Sequence, residues 1–156
     1  MIDIKFKKLH DDVVLPYKST KGSSCFDLIA HRIEKKESGL YKVRFGFVTE
    51  IPFGFEGKIY PRSSISKTGW ILSNSVGIID SDYRGEWLAF FSAISYSVKT
   101  RKISKESFLS PNPFPYNNGD RVAQVKFEPV LNVNAIETDE LSETDRDQGG
   151  FGSTGK

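Results

Sequence analysis

The chain has 156 residues, enough for one domain with a substantial core. Hydrophobic residues make up 38% and charged residues 27%, and 22 basic against 20 acidic residues leave a formal charge of +2. That balance excludes a general nucleic-acid binder, which carries a basic stripe, and no apolar run is long enough to cross a bilayer as a helix.

The first residues alternate, with Ile2, Ile4 and Phe6 set against Asp3, Lys5 and Lys7. They read as a strand and not as an export signal. Cys25 is the single cysteine, so no intrachain disulfide is expected and the expected location is intracellular. It reads as a small core residue, because His10 and His31 stand in no pattern suited to thiol catalysis or zinc. Tyr41, Val43, Phe45 and Phe47 alternate with Lys42, Arg44 and Gly46, which predicts another strand. Further strand-like runs are Phe55 to Tyr60, Glu86 to Phe91 and Val122 to Phe127, and Ser63 to Thr68 predicts one short helix. Turn residues punctuate them at Pro52-Phe53-Gly54, Asp80-Ser81-Asp82 and Asn117-Asn118-Gly119-Asp120. Many short strands without a long amphipathic helix predict an all-β sandwich, barrel or jelly roll.

Two segments break this rhythm. Ser95 to Asn118 is rich in Ser, Lys, Pro and Asn and reads as a long excursion from the body. Glu137 to Lys156 is polar and then glycine-rich, so it is expected to be a mobile arm. Extended, it would reach roughly 60 Å, far enough to cross to another subunit.

Four phrases carry chemistry. In Pro61-Arg62-Ser63-Ser64 a guanidinium and two hydroxyls stand together at a turn after a strand, which suits phosphate. From Asn74 to Gly85 an apolar strand ends in Asp80, and the tight turn that follows holds Asp82 and Tyr83. A carboxylate fixed there can take a proton from water, although Asp80 and Asp82 also suit ordinary turn bonding. Gly119 to Gln124 reads either as a turn feeding a strand or as a further part of the site. The tail from Arg146 to Gly155 leaves an arginine and an aromatic, Phe151, in a polar, glycine-rich end, where a ring could close over a flat base. Gly150 to Lys156 also fits the start of a phosphate-binding P-loop. The match lacks the Ser or Thr after the lysine and the flanking βαβ unit, so it is rejected.

Taken in order, these phrases resemble the five blocks of the homotrimeric deoxyuridine triphosphatase family. The first is Ser24-Cys25-Phe26-Asp27-Leu28, and the second runs from Pro61 to Gly69. The third is Gly77 to Gly85, the fourth Gly119 to Gln124, and the fifth Arg146 to Gly155. The resemblance implies a distorted jelly-roll domain over residues 1–136, a C-terminal arm over 137–156 and a homotrimer whose sites are shared between subunits. It implies magnesium-dependent hydrolysis of dUTP to dUMP and pyrophosphate, which keeps uracil out of DNA and supplies dUMP.

By resemblance, Arg62, Ser63, Ser64 and Gln124 would hold phosphates. Asn74, Gly77, Ile78 and Ile79 would read uracil, and Tyr83 would lie beneath the deoxyribose. Asp80 would activate water, and Asp27 would order the water shell of Mg2+. From the arm, Arg146 would reach the terminal phosphate and Phe151 would cover the base, with Gly152 and Ser153 also binding substrate. Cys25 and Asp147 depart from glycines usual in the family, and 95–118 is expected to project as an insertion that could take a protein partner. Two alternatives remain at this stage: a related dCTP deaminase, and a nucleotide-gated regulator that binds protein through 95–118.

Overall fold

The structure, a computed structural model, describes residues 2–94 and 113–149. Among these described residues the strands number ten: β1 (Lys5–Lys8), β2 (Phe26–Ile29), β3 (Arg32–Lys35), β4 (Tyr41–Arg44), β5 (Phe47–Glu50), β6 (Phe55–Pro61), β7 (Trp70–Leu72), β8 (Gly77–Ile79), β9 (Leu88–Ala93) and β10 (Arg121–Pro129). The one helical element among the described residues is a 3-10 turn, Ser63–Lys67. The protein is therefore all-β, as its short alternating runs predict.

The strands form one two-stranded sheet, β1-β5, and two four-stranded sheets, β2-β10-β6-β8 and β3-β4-β9-β7, with antiparallel pairing throughout. The inward positions of both larger sheets meet in one core. Leu28, Ile59, Ile79, Val122 and Val125 come from one sheet, and Val43, Ala89, Phe91, Trp70 and Leu72 from the other. Trp87 is fully buried among them, and its indole N–H donates to Thr49 Oγ1 at 3.0 Å. Thr49 thus satisfies a polar group that would be costly to bury alone.

The run from Tyr41 to Phe47 is not one strand. Gly46 has φ of 73°, a left-handed conformation that favours glycine, and it divides β4 from β5. Phe45 and Phe47, on either side of it, are both fully buried.

The part of the predicted insertion at 95–112 lies outside the described residues. Its last residues lie against the body. Phe114 stacks on Tyr41 at 4.3 Å between centroids and meets Trp70 edge-on at 5.1 Å. Asn118 accepts a hydrogen bond from the Ile33 N–H at 2.9 Å. After β10 the chain continues without strand or helix to residue 149, with Leu131, Val133, Ile136 and Leu141 each more than three-quarters exposed. The segment without strand or helix therefore begins at Val130, directly after β10. No helix among the described residues is long and apolar enough to cross a membrane.

Candidate active site

β6 carries the geometry of the site. It is central in its sheet, with β10 on one side and β8 on the other. At its C-terminal end the register places Gln124 opposite both Asp27 and Tyr60, and Ala123 opposite Pro61. Three separate phrases of the sequence, around Asp27, Arg62 and Gln124, therefore converge there.

The convergence is dense in polar contacts. Arg62 Nε lies 3.0 Å from Asp27 Oδ1, and Arg62 Nη1 donates to the Arg121 carbonyl at 3.3 Å. Arg121 Nη1 donates to Asp27 Oδ2 at 3.2 Å and to Ser19 Oγ at 2.8 Å, while the Ser19 hydroxyl donates to Asp27 Oδ2 at 2.6 Å. Gln124 Nε2 donates to the Pro61 carbonyl at 3.0 Å, which leaves its second amide hydrogen available. Burial pushes the Asp27 carboxyl up, but the Ser19 hydroxyl and the two guanidinium groups outweigh it and hold the group below the usual carboxylate value. Ser63 and Ser64 follow at the exposed start of the 3-10 turn.

Ser19 and Arg121 belong to this cluster, though the sequence patterns did not mark them as site residues. The only sequence signal was that Arg121 stands three residues before Gln124 on a strand. Ser19 lies in a polar loop whose position becomes visible only when Tyr17 pairs with Asp27.

Asp80, Tyr83, Asn74 and Gly77 lie in the segment around β8. Asn74 and Ser75 make a tight turn, with Ser75 at φ of 61° and the Val76 N–H on the Asn74 carbonyl at 2.6 Å. A Cβ on Gly77 would stand 3.3 Å from Ile59 and 3.5 Å from the Asn74 amide, so a larger residue would crowd that end of β8. Ile78 is half exposed and Ile79 buried. The Tyr83 N–H reaches the Asp80 carbonyl at 3.2 Å, which brings the two residues into one turn. The Tyr83 ring folds over Gly85, where any Cβ would collide with the phenol, and its hydroxyl donates to the Glu86 carbonyl at 3.1 Å. Asp80 is exposed, and its carboxylate has no partner among the described residues. With Asp82, Phe53 and Asn132 it lines an open hollow of about 470 Å³.

One chain does not bring these two groups together. β8 pairs Ile79 with Gly57, near the start of β6, whereas Arg62 follows its end. The five residue steps from Gly57 to Arg62 span roughly 17 Å at the usual rise of a strand. Arg146 lies in the exposed arm, where its Nε donates to the Gly149 carbonyl at 3.0 Å in a turn that holds Asp147 at φ of 40°. Phe151, Gly152 and Ser153 lie outside the described residues.

A dUTPase family model matches residues 11–105 and 108–155, and the chain belongs to the dUTPase family. It is 39% identical over 157 residues to the deoxyuridine 5'-triphosphate nucleotidohydrolase of Nautilia profundicola, covering 98% of this chain and 99% of that one. Among solved structures it resembles a Staphylococcus bacteriophage 80alpha dUTPase with dUPNHPP (TM-score 0.80, 21% identity, all of both chains). It also resembles a mutant dUTPase from phage phi11 of S. aureus, described for its coordination of a structural Mg(II) ion. That second likeness has a TM-score of 0.71 and 17% identity over 91% of this chain and 100% of the other. At those identities the phage structures establish the shared fold. The family match favours the hydrolase over the deaminase alternative.

Proposed function

We propose that this protein hydrolyses dUTP to dUMP and pyrophosphate, in sites built from more than one copy of the chain. The observation that carries the shared site is the separation along β6. The cluster around Arg62 suits a phosphate chain, the carboxylate of Asp80 suits activation of water, and roughly 17 Å of strand holds them apart within one chain. A second copy must supply one end to the other. The exposed apolar residues Leu131, Val133, Ile136 and Leu141 support the same reading, because an extended segment of that kind gains by packing on a neighbour. The expected assembly is a homotrimer of jelly-roll domains (1–136), with each arm (137–156) lying across a site.

In this reading Asn74 and the backbone of Gly77, Ile78 and Ile79 read the edge of uracil, with too little room for a methyl group. Tyr83 packs beneath the deoxyribose. Arg62, Ser63, Ser64 and Gln124 hold the phosphates, while Arg146, Phe151, Gly152 and Ser153 come from the arm. Asp80 orients a water and takes its proton as the oxygen bonds to the α-phosphorus. The bond from that phosphorus to its bridging oxygen breaks, and pyrophosphate leaves with the electron pair.

Magnesium fits the donor set in an indirect way. No group of three His, Cys, Asp or Glu side chains among the described residues forms a metal cage. Asp27 Oδ2 accepts from Ser19 and Arg121, and Oδ1 is ion-paired with Arg62 Nε at 3.0 Å, which leaves lone-pair capacity on Oδ1 for a metal-bound water. An ion held by phosphates and waters needs no more than this, and when bound it would offset the charge of the phosphate chain.

Two measurements test the reading. Pyrophosphate release from dUTP should exceed that from dTTP, dCTP or UTP and stop with a chelator. Equal turnover of dTTP would overturn the uracil assignment. Asp80→Asn and Arg62→Ala chains, each inactive alone, should regain roughly a quarter of wild-type activity when co-assembled in equal amounts, the chance that one site draws both intact residues. No recovery in mixed assemblies would place both residues in one chain's site.

A further inference from the structure

We propose that Arg121 is a second phosphate-binding arginine, aimed by Ser19 and Asp27. It starts β10 opposite Ile29, and the pairing with β2 shifts register between Arg121 and Ala123. Such an irregularity re-aims a side chain, and here it sends the Arg121 guanidinium to the Asp27 carboxylate.

The use of nitrogens then distinguishes the two arginines. Arg62 commits Nε to Asp27 and Nη1 to the Arg121 carbonyl, leaving Nη2. Arg121 commits Nη1 alone, to Ser19 and Asp27, and its Nε and Nη2 have no partner among the described residues. Those two nitrogens form one edge of the guanidinium, the fork that grips two oxygens of a phosphate together. The Arg121 side chain is also the more open of the two, 41% exposed against 27% for Arg62. Two cations share one carboxylate here, so the cluster retains a positive charge for an anion.

Ser19 is the positioning residue. Its hydroxyl donates to Asp27 and accepts from Arg121, which uses both of its capacities consistently. The loop that carries it is fixed at both ends. The Asp27 N–H bonds to the Tyr17 carbonyl at 2.8 Å, and the Thr20 N–H bonds to Ser23 Oγ at 3.1 Å. The ligand class is a nucleoside polyphosphate or the pyrophosphate released from it.

This inference rests on the reading of Arg62 as a phosphate ligand, and Arg62→Ala serves as its control. Binding of dUMP and of the non-hydrolysable α,β-imido analogue of dUTP is measured by calorimetry on the full-length assembly, with melting temperature followed alongside. Arg121→Ala and Arg121→Lys should each weaken the imido analogue about tenfold, as expected for a lost charge-assisted pair, with dUMP affinity almost unchanged. Ser19→Ala should weaken it about threefold through lost orientation. If Arg62→Ala loses the analogue while Arg121→Ala binds it like wild type, Arg121 is no ligand. If Arg121→Ala weakens both nucleotides equally and lowers the melting temperature, its role is structural and the inference also fails. If Arg62→Ala itself binds normally, the phosphate assignment of the whole cluster falls.

Discussion

The two ends of β6 are built on opposite plans. At the Arg62 end, Ser19, Asp27, Arg62 and Arg121 fix one another through hydrogen bonds and ion pairs, and Gln124 is tied to the Pro61 carbonyl, before any ligand arrives. At the Asp80 end the carboxylate stands exposed beside an open hollow, held only by its backbone. The difference is chemical. Guanidinium groups can be oriented by a carboxylate and still offer nitrogens to phosphate, so preorganisation costs them little. A base that must take a proton from water works best when no protein cation holds its oxygens.

The largest expected effect follows from that contrast. Asp80→Asn should lower kcat about 10²- to 10⁴-fold, the usual contribution of a general base. Because the Asp80 side chain has no partner among the described residues, melting temperature and affinity for the imido analogue should hardly move. Wild-type turnover in this variant would remove Asp80 from the mechanism. A large loss of stability would mean that the Asp80 side chain is bonded in the folded protein.

At the dense end the order of effects should reverse, with stability moving first. Asp27→Asn leaves two guanidinium groups facing an amide, at a site where the Asp27 side chain is 12% exposed. A loss of about 1–3 kcal/mol is expected from unpaired, partly buried groups, measured by urea unfolding at neutral pH. The pH dependence has a definite sign. The Asp27 carboxyl is held below its ordinary value of 3.8, so its contribution is present above that value and is lost as pH falls through the folded-state value. The gap between wild type and Asp27→Asn should therefore close on acidification below 3.8. A gap that widens there would mean that Asp27 is not ionised in the cluster.

The two ends also differed in how far the sequence disclosed them. Asp80, Tyr83 and Gly85 lie within six residues of one another, so their turn is written locally. The Arg62 cluster draws on residues as far apart as Ser19 and Arg121, and only the pairing of β2, β10 and β6 brings them together. Arg62, Asp27 and Gln124 were legible through their phrases, whereas Ser19 had no phrase to mark it. The strands behaved similarly. Long runs such as β6 and β10 were plain from alternation, but three- and four-residue strands such as β7 and β2 give too few positions for a period to register. The break at Gly46 was hidden because Phe45 and Phe47 are both buried, which preserves the look of one alternating strand.

The smallest effect concerns the floor beneath the strand. Trp87 follows the Asp80–Gly85 turn, and its ring lies close to the first half of β6, where a Cβ on Gly57 would stand 3.2 Å from its Cη2. Its indole N–H has Thr49 Oγ1 as acceptor, and Thr49 is 2% exposed. Thr49→Val keeps the shape and removes that acceptor, leaving a buried donor unsatisfied at a cost of about 1–3 kcal/mol. A chain of this size should then melt roughly 2–4 °C lower for each kcal/mol lost. Thr49→Ser retains the hydroxyl and should lose less. If the two ends of β6 are fixed by different means, Thr49→Val should lower kcat/KM through the Asp80 turn while the ratio of imido-dUTP to dUMP affinity, set at the Arg62 end, stays constant. A change in that ratio would show that the two ends are mechanically joined through Trp87.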